Sequence, residues 1–378
     1  MTKPTLPIIT DRITQSQSMS LITSTVIGVS VLTLPRMSTE IANQQGWIPI
    51  FIGFLLAMAA VWVVTLLSVR MNGQSFANFV ARTLGPKKYP VLGKVLGIPL
   101  LLAYVGYWLI VTALVARTFG EVVVTAVLLE TPLEVIVGSM LALTLYLCLS
   151  KDKVVFRVNE FLLPLMVAPL LILGVMAFQK ANFTRLMPVF PLETKGILQT
   201  VAGTALAFQG YEIILQFASR YDEKVKYVRA NMLGMGFVGL VYVLIVIAGI
   251  VTFGHEELQR LTWPTLELVK SVNVPGLVLE RAEAVFIGVW VAAVFTTAGN
   301  CFYAGTRLLC DTFGIRKPQY VAIGLVPVLY LVAMNPRNQF DLFAALNRTS
   351  FAGILLAVVI PVALLGLSFF RNSGTDAK

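Results

Sequence analysis

The residue in this chain best placed to do chemistry is Glu212. It follows Ala207-Phe208-Gln209-Gly210-Tyr211 inside an apolar run of membrane-spanning length. A carboxylate at that depth is costly unless it faces a cavity or a partner, or reaches interfacial water from a helix end. In a cavity it would accept hydrogen bonds from unwound backbone or carry a proton. A matching irregularity stands earlier in the chain, at Thr25-Val26-Ile27-Gly28-Val29-Ser30-Val31-Leu32-Thr33-Leu34-Pro35, and Gly210 follows Gly28 by 182 residues, close to half the chain. One such glycine alone reads as a site of close helix packing. Two weakened spans at corresponding positions of two halves point instead to an inverted-repeat transporter that binds its ligand at the breaks. Non-helical backbone is tolerated at membrane depth only where it is buried in protein or lines a cavity. Its freed amides and carbonyls, with the half-helix ends, suit the charged ends of a zwitterion such as an amino acid.

Two further spans supply polar groups. Tyr104, Tyr107, Trp108 and Val111 include a set at i, i+3, i+4 and i+7, which walls a pocket or packs the core. Thr296, Thr297, Asn300 and Cys301 lie within about one turn, and Thr297 and Cys301 share a face. The candidate ligand residues are therefore Gly28, Val29, Ser30, Tyr107, Val111, Phe208, Gln209, Gly210, Tyr211, Thr297 and Cys301. Glu212 and Asn300 are candidates for coupling or gating. Arg117 with Glu121, and Arg281 with Glu280 or Glu283, read as satisfied interfacial charges first and as gates second.

Other chemistries lack their parts. Gly234-Met235-Gly236-Phe237-Val238-Gly239 matches GxGxxG, but it lies inside a span with no preceding strand. His255 is the only histidine, there is no GxSxG, and no paired carboxylates share a soluble cleft. Cys148, Cys301 and Cys310 show neither CxxC spacing nor a histidine cluster. No enzyme activity, cofactor or metal is expected.

These residues must be positioned by membrane helices. The chain of 378 residues is 57% hydrophobic and 13% charged, with mean hydropathy +0.82, against about 25% charged in a soluble domain. Apolar runs predict about ten spans: 15–41, 47–70, 93–127, 132–149, 158–178, 196–218, 226–253, 281–313, 319–334 and 351–370. The net charge of +10 does not point to nucleic acid, because the basic residues sit in short clusters between apolar runs. Alternate loops on one side hold 19 of the 29 basic residues, whereas Glu121, Glu130, Glu134, Glu256, Glu257, Glu267 and Glu280 collect on the other. The positive-inside rule then puts both termini in the cytoplasm. Residues after Thr262 suit a short helix on the outer interface. The chain reads as one all-α membrane domain over 1–378, with repeats of about 13–179 and 195–371.

Ile27 to Arg36 followed by Gly46-Trp47-Ile48 resembles the spore germination permease family, the B-subunit class of nutrient germinant receptors. The likeness continues through Thr131-Pro132, Asn182-Phe183, Pro188, Phe208 to Glu212, Trp263-Pro264-Thr265, Glu280-Arg281-Ala282-Glu283 and Trp290. It implies the amino acid, polyamine and organocation superfamily fold, a LeuT-like 5+5 inverted repeat with helices 1 and 6 broken. It also implies the spore inner membrane, and a complex with an A subunit and a lipoprotein C subunit in which this subunit senses an amino acid or similar nutrient. The family's pocket positions fall on Gly28, Tyr107, Val111, Gln209, Thr297 and Cys301. Relatives with an aromatic residue in place of Cys301 and an apolar one in place of Gln209 differ here, which implies a roomier, more polar pocket.

Three functions fit. The first is a nutrient-gated receptor subunit, in which ligand binding shifts a two-state bundle. The second is an amino acid secondary transporter, since fold alone does not exclude it. The fifth span lacks the lysine that replaces sodium in some proton-coupled relatives, while Thr296 and Thr297 would suit sodium. The third is a water or ion conduit opened in germination.

Overall fold

The computed structural model describes residues 12–86, 90–190, 194–221, 226–271 and 282–372. Among them the chain is helical, with no strand. Six helices are long and apolar enough to cross a membrane, and a seventh span is a pair bent by 56°. That pair is α1 (Gln15–Ile27) and α2 (Ser30–Ala42). A capping box at Thr14 and Gln17 starts α1, and the helix stops at Gly28. The second span is α3 (Trp47–Arg70), as predicted.

A short amphipathic helix, α4 (Phe76–Leu84), capped by Ser75, fills the basic interval that the sequence left as loop. The third span, α5 (Pro90–Ala126), has 37 residues, so at 1.5 Å per residue it is about 55 Å long and exceeds the bilayer core. The first half closes with α6 (Leu133–Cys148) and α7 (Asp152–Ala177).

The sixth segment is the most irregular. After α8 (Thr194–Thr204) come 3-10 turns at Ala205–Phe208 and Tyr211–Ile213, the four-residue α9 (Ile214–Phe217) and another 3-10 turn at Ala218–Arg220. Then follow α10 (Tyr227–Phe253), α11 (His255–Arg260) and α12 (Pro264–Ser271). The last of these is the predicted outer helix. Its Thr265 hydroxyl donates to the Val31 carbonyl at 2.6 Å, so it is tied to α2.

The bundle ends with α13 (Ala282–Phe313), α14 (Pro318–Met334), α15 (Gln339–Ile354) and α16 (Ile360–Asn372). The tenth span needs correction. It starts at Gln339 and not near 351, because Asn338 caps it by accepting from the Asp341 amide at 2.9 Å. Between α15 and α16 the helix widens into a π segment at Leu355–Val359.

Within the bundle α1 packs on α7, α10 and α13, and α5 packs on α6, α13 and α15. Gly234 and Gly239 of the GxGxxG run serve helix packing, whereas a Cβ on Gly236 would meet open space. A Cβ on Gly234 would lie 2.9 Å from the Met19 carbonyl, and one on Gly239 would strike the Phe54 ring. At the basic end Asp152 pairs with Arg220 and Arg307 and accepts from the Tyr303 hydroxyl. At the other end Arg117 pairs with Glu121 at 2.8 Å and Arg36 with Glu40 at 2.9 Å. The predicted pairing of Arg281 with Glu280 or Glu283 falls outside the residues whose side chains are described.

Candidate functional site

The break in the first span leaves a run of carbonyls without helical partners, and neighbouring side chains take them. Thr297 Oγ1 lies 2.9 Å from the Thr25 carbonyl and 3.1 Å from that of Ser24, and Thr296 donates to Ser24 at 3.1 Å. Tyr242 donates to Val26 at 2.8 Å, and Trp290 Nε1 to the Gly28 carbonyl at 3.2 Å. Buried irregular backbone is held in this way by protein in place of water. Gly28 is obligatory for a steric reason: a Cβ there would stand 2.6 Å from Thr297 Oγ1. Gly210 is obligatory for a conformational one, since its φ of 114° lies in the region that side chains avoid.

Glu212 is fully buried at the second break. It accepts from Trp108 Nε1 at 3.2 Å through one oxygen and from the Gly210 amide at 2.9 Å through the other. It is therefore a staple between the turn and α5, and the reading of a helix-end carboxylate reaching water is overturned.

A cavity of about 50 Å³ lies between the two breaks. Gly28, Val29 and Ser30 line it from the first span, Tyr107 and Val111 from α5, Gln209, Gly210 and Glu212 from the second break, and Thr297 and Cys301 from α13. At about 10–15 Å³ per water this is room for a few water molecules. Gln209 and Tyr107 fold together across the space, Tyr107 donating to Gln209 Oε1 at 3.0 Å.

Three predicted residues fall outside the lining. Phe208 turns away to pack edge-on against Tyr242 at 5.3 Å. Tyr211 reaches the other way and donates to the Ala357 carbonyl in the π segment at 3.2 Å. The 3-10 turns on either side of Gly210 send these side chains outward. Asn300 lies deeper, in a reciprocal amide pair with Asn159 at 2.7 and 2.8 Å, and donates to Thr25 Oγ1 at 2.8 Å. Ser24 donates to the same Asn159 oxygen.

Sequence reasoning missed the contribution of α15. Leu346 and Thr349 line the cavity, and the Ser350 carbonyl accepts from Gln209 Nε2 at 3.1 Å. The Asn338-x-x-Asp341 cap was the available signal. A larger cavity of about 170 Å³ adjoins toward the Arg36 end and shares Val29, Ser30 and Leu346 with the first. At the opposite end the Asp152 cluster closes the bundle, with Gln216 Nε2 donating to Asp311 at 2.8 Å beside it. The site thus continues into the larger cavity toward the Arg36 end.

Comparison with known proteins bears on the family and the fold. The chain is 28% identical over 366 residues to spore germination protein YndE of Bacillus subtilis (strain 168), covering 97% of this chain and 98% of that protein. It is 27% identical to spore germination protein A2 of the same organism, covering 93% and 94%. Among solved structures, MhsT in complex with L-phenylalanine superposes with a TM-score of 0.67 over 95% of this chain and 99% of that one, at 12% identity, which speaks to fold alone. The fold is the LeuT-like one expected from sequence, and this is a multi-pass integral membrane protein. Residues 12–342 match the family described as spore germination protein, a family of permeases and not enzymes, and the chain belongs to it.

Proposed function

We propose that this chain is the nutrient-sensing B subunit of a spore germinant receptor, working with an A subunit and a lipoprotein C subunit in the spore inner membrane, both termini cytoplasmic. A small amino acid would bind in the cavity between the breaks, its charged ends met by freed backbone and by Thr297. The observation that carries this reading is the coincidence of both helix breaks, Gln209 and Thr297 in one buried cavity that continues toward the Arg36 end.

The route from ligand to signal follows the elements that line the site. Arg307 lies ten residues after Thr297 on α13, about 15 Å along the axis, and Arg220 closes the segment that carries Gln209. Both meet Asp152. A ligand that moves α13 against the second break changes the fit of that cluster, and the cluster faces the side assigned to the cytoplasm.

The test is nutrient-triggered germination of spores carrying Gln209→Leu or Thr297→Ala, scanned over several amino acids with subunit levels followed by immunoblot. A changed nutrient preference at normal protein level supports the reading. An unchanged dose response in both variants places the ligand elsewhere. Transport is the second reading, because the neighbouring fold belongs to transporters; gradient-driven amino acid uptake into sealed vesicles would establish it.

A further inference from the structure

Gln209 is held in an unusual seat. Its amide lies against α15 at Gly353, where a Cβ would stand 2.7 Å from Gln209 Cδ and 2.8 Å from the Tyr107 hydroxyl. Only a residue without a side chain leaves that place free. Both ends of the amide are fixed there, Oε1 by Tyr107 and Nε2 by the Ser350 carbonyl. The clamp spans three elements, α5, the second break and α15, so the amide has one defined position.

A primary amide has two N–H donors and two acceptor positions. The clamp uses one of each, and Gln209 lines the cavity. One donor and one acceptor therefore remain for whatever occupies it. Val111, Leu114, Val115 and Leu346 make apolar wall, Ser30, Thr349 and Cys301 add small polar groups, and Gln209 is the lining amide clamped at both ends. Recognition then divides in two. Backbone at the breaks would meet the ammonium and carboxylate that every amino acid carries, and Gln209, held at both ends, is the fixed polar group that would read the side chain.

We propose that Gln209, seated on Gly353, is the specificity-determining residue of this site, and that it selects small amino acids with a side-chain hydroxyl over apolar ones of equal size. A hydroxyl both donates and accepts, matching what the clamped amide has left. The inference rests on the reading that this cavity binds an amino acid. Since the amide already has a partner at each end, an apolar ligand is tolerated, and the preference is that of a single added hydrogen bond, roughly two- to tenfold. The small cavity sets the upper size.

The experiment measures binding to the purified full-length chain by calorimetry and thermal shift, with two pairs of probes matched in size: L-serine against L-2-aminobutyrate, and L-threonine against L-valine. The wild type is expected to favour the hydroxyl member of each pair by roughly two- to tenfold. Gln209→Leu should bring both ratios to one or below while 2-aminobutyrate still binds. Gly353→Ala should force the amide toward the cavity and weaken the threonine–valine pair more than the serine–aminobutyrate pair. Equal binding within each pair in the wild type, or ratios unchanged in Gln209→Leu, overturns this inference and leaves the amino acid reading standing. Failure of all four probes to bind folded wild-type protein overturns both.

Discussion

Gly28 and Thr297 make the sharpest test of the first break. An alanine at 28 would place its Cβ 2.6 Å from Thr297 Oγ1, 3.1 Å from Cγ2 and 3.2 Å from Cβ, and real Cβ atoms essentially never come within 3.0 Å of a neighbour. Thr297 cannot swing aside cheaply, because a β-branched side chain in a helix has few χ1 options and its hydroxyl is bonded to the Thr25 carbonyl at 2.9 Å. Overpacking of this kind costs about 1–3 kcal/mol, and losing the hydroxyl's bond adds about 1 kcal/mol. Gly28→Ala is thus expected to cost about 2–4 kcal/mol, and Thr297→Ala alone about 1 kcal/mol. In the double variant the hydroxyl and Cγ2 are gone, so only the 3.2 Å approach to Cβ remains. The pair should be less damaging than the sum by about 1–2 kcal/mol, within the coupling seen for touching residues. The assay is the nutrient dose response of spores with each of the four forms, at equal protein level, with about 1.4 kcal/mol read as tenfold in half-maximal concentration. If the two single effects simply multiply in the double variant, the residues do not meet and the geometry of the break is wrong.

Three other outcomes are expected. Asp152→Asn removes the partner shared by Arg220 and Arg307; these groups are partly exposed, so about 0.4–2 kcal/mol is at stake over the two pairs, and nutrient-independent germination should rise roughly two- to thirtyfold, a rise whose absence would deny the cluster a role in holding the resting state. Gly210→Ala forces a side chain onto a φ of 114° at a cost of about 1–3 kcal/mol, which immunoblots of membranes should show as reduced accumulation, and normal accumulation would contradict the turn. Asn300→Leu strands the Asn159 amide and should destabilise the purified chain by about 1–3 kcal/mol, whereas Asn159→Leu with Asn300→Leu should be milder than the single change; a double variant that melts lower than Asn300→Leu would refute the pairing.

How much of this was legible in the sequence depends on what each residue answers to. The multi-span architecture, both breaks and the short helix after Thr262 are readable because hydrophobic length and misplaced glycines are local signals. The inward faces were harder. Phe208 and Tyr211 flank Gln209 and share its irregular turn, but no helical period applies across Gly210, so the sequence could not tell which of the three faces the cavity. Asn159 was hidden by a boundary error: with the fifth span begun at 158 it sits at a helix end, whereas α7 starts at Asp152 and buries it. Ser350 was lost in the same way, since Asn347 and Arg348 read as loop until the cap at Asn338 fixes the start of α15; Gly353 falls inside the predicted span of 351–370, but nothing in the sequence sets it against Gln209. The π segment leaves no compositional trace at all. It shows only in the two tyrosines, Tyr104 and Tyr211, whose hydroxyls reach the Leu356 and Ala357 carbonyls.

The magnitudes also bear on why such a site suits a receptor. Shifting a two-state bundle from 1:99 to 99:1 requires a ligand to favour one state by about 5.5 kcal/mol. A small amino acid meeting the breaks through a few charge-assisted bonds, each worth about 1.5–3 kcal/mol, reaches that scale only if most of them exist in one state alone. On the proposed function this would come from competition. The carbonyls of Ser24, Thr25 and Gly28 are already occupied by Thr296, Thr297 and Trp290 on α13, so a ligand that engages the break must compete with α13 for the same groups. Binding and displacement of α13 are then one event, and the element displaced is the one whose far end carries Arg307 to Asp152. On the proposed function, a resting state held in part by a cluster of two such pairs, worth about 0.4–2 kcal/mol, would be weak enough for one bound nutrient to release.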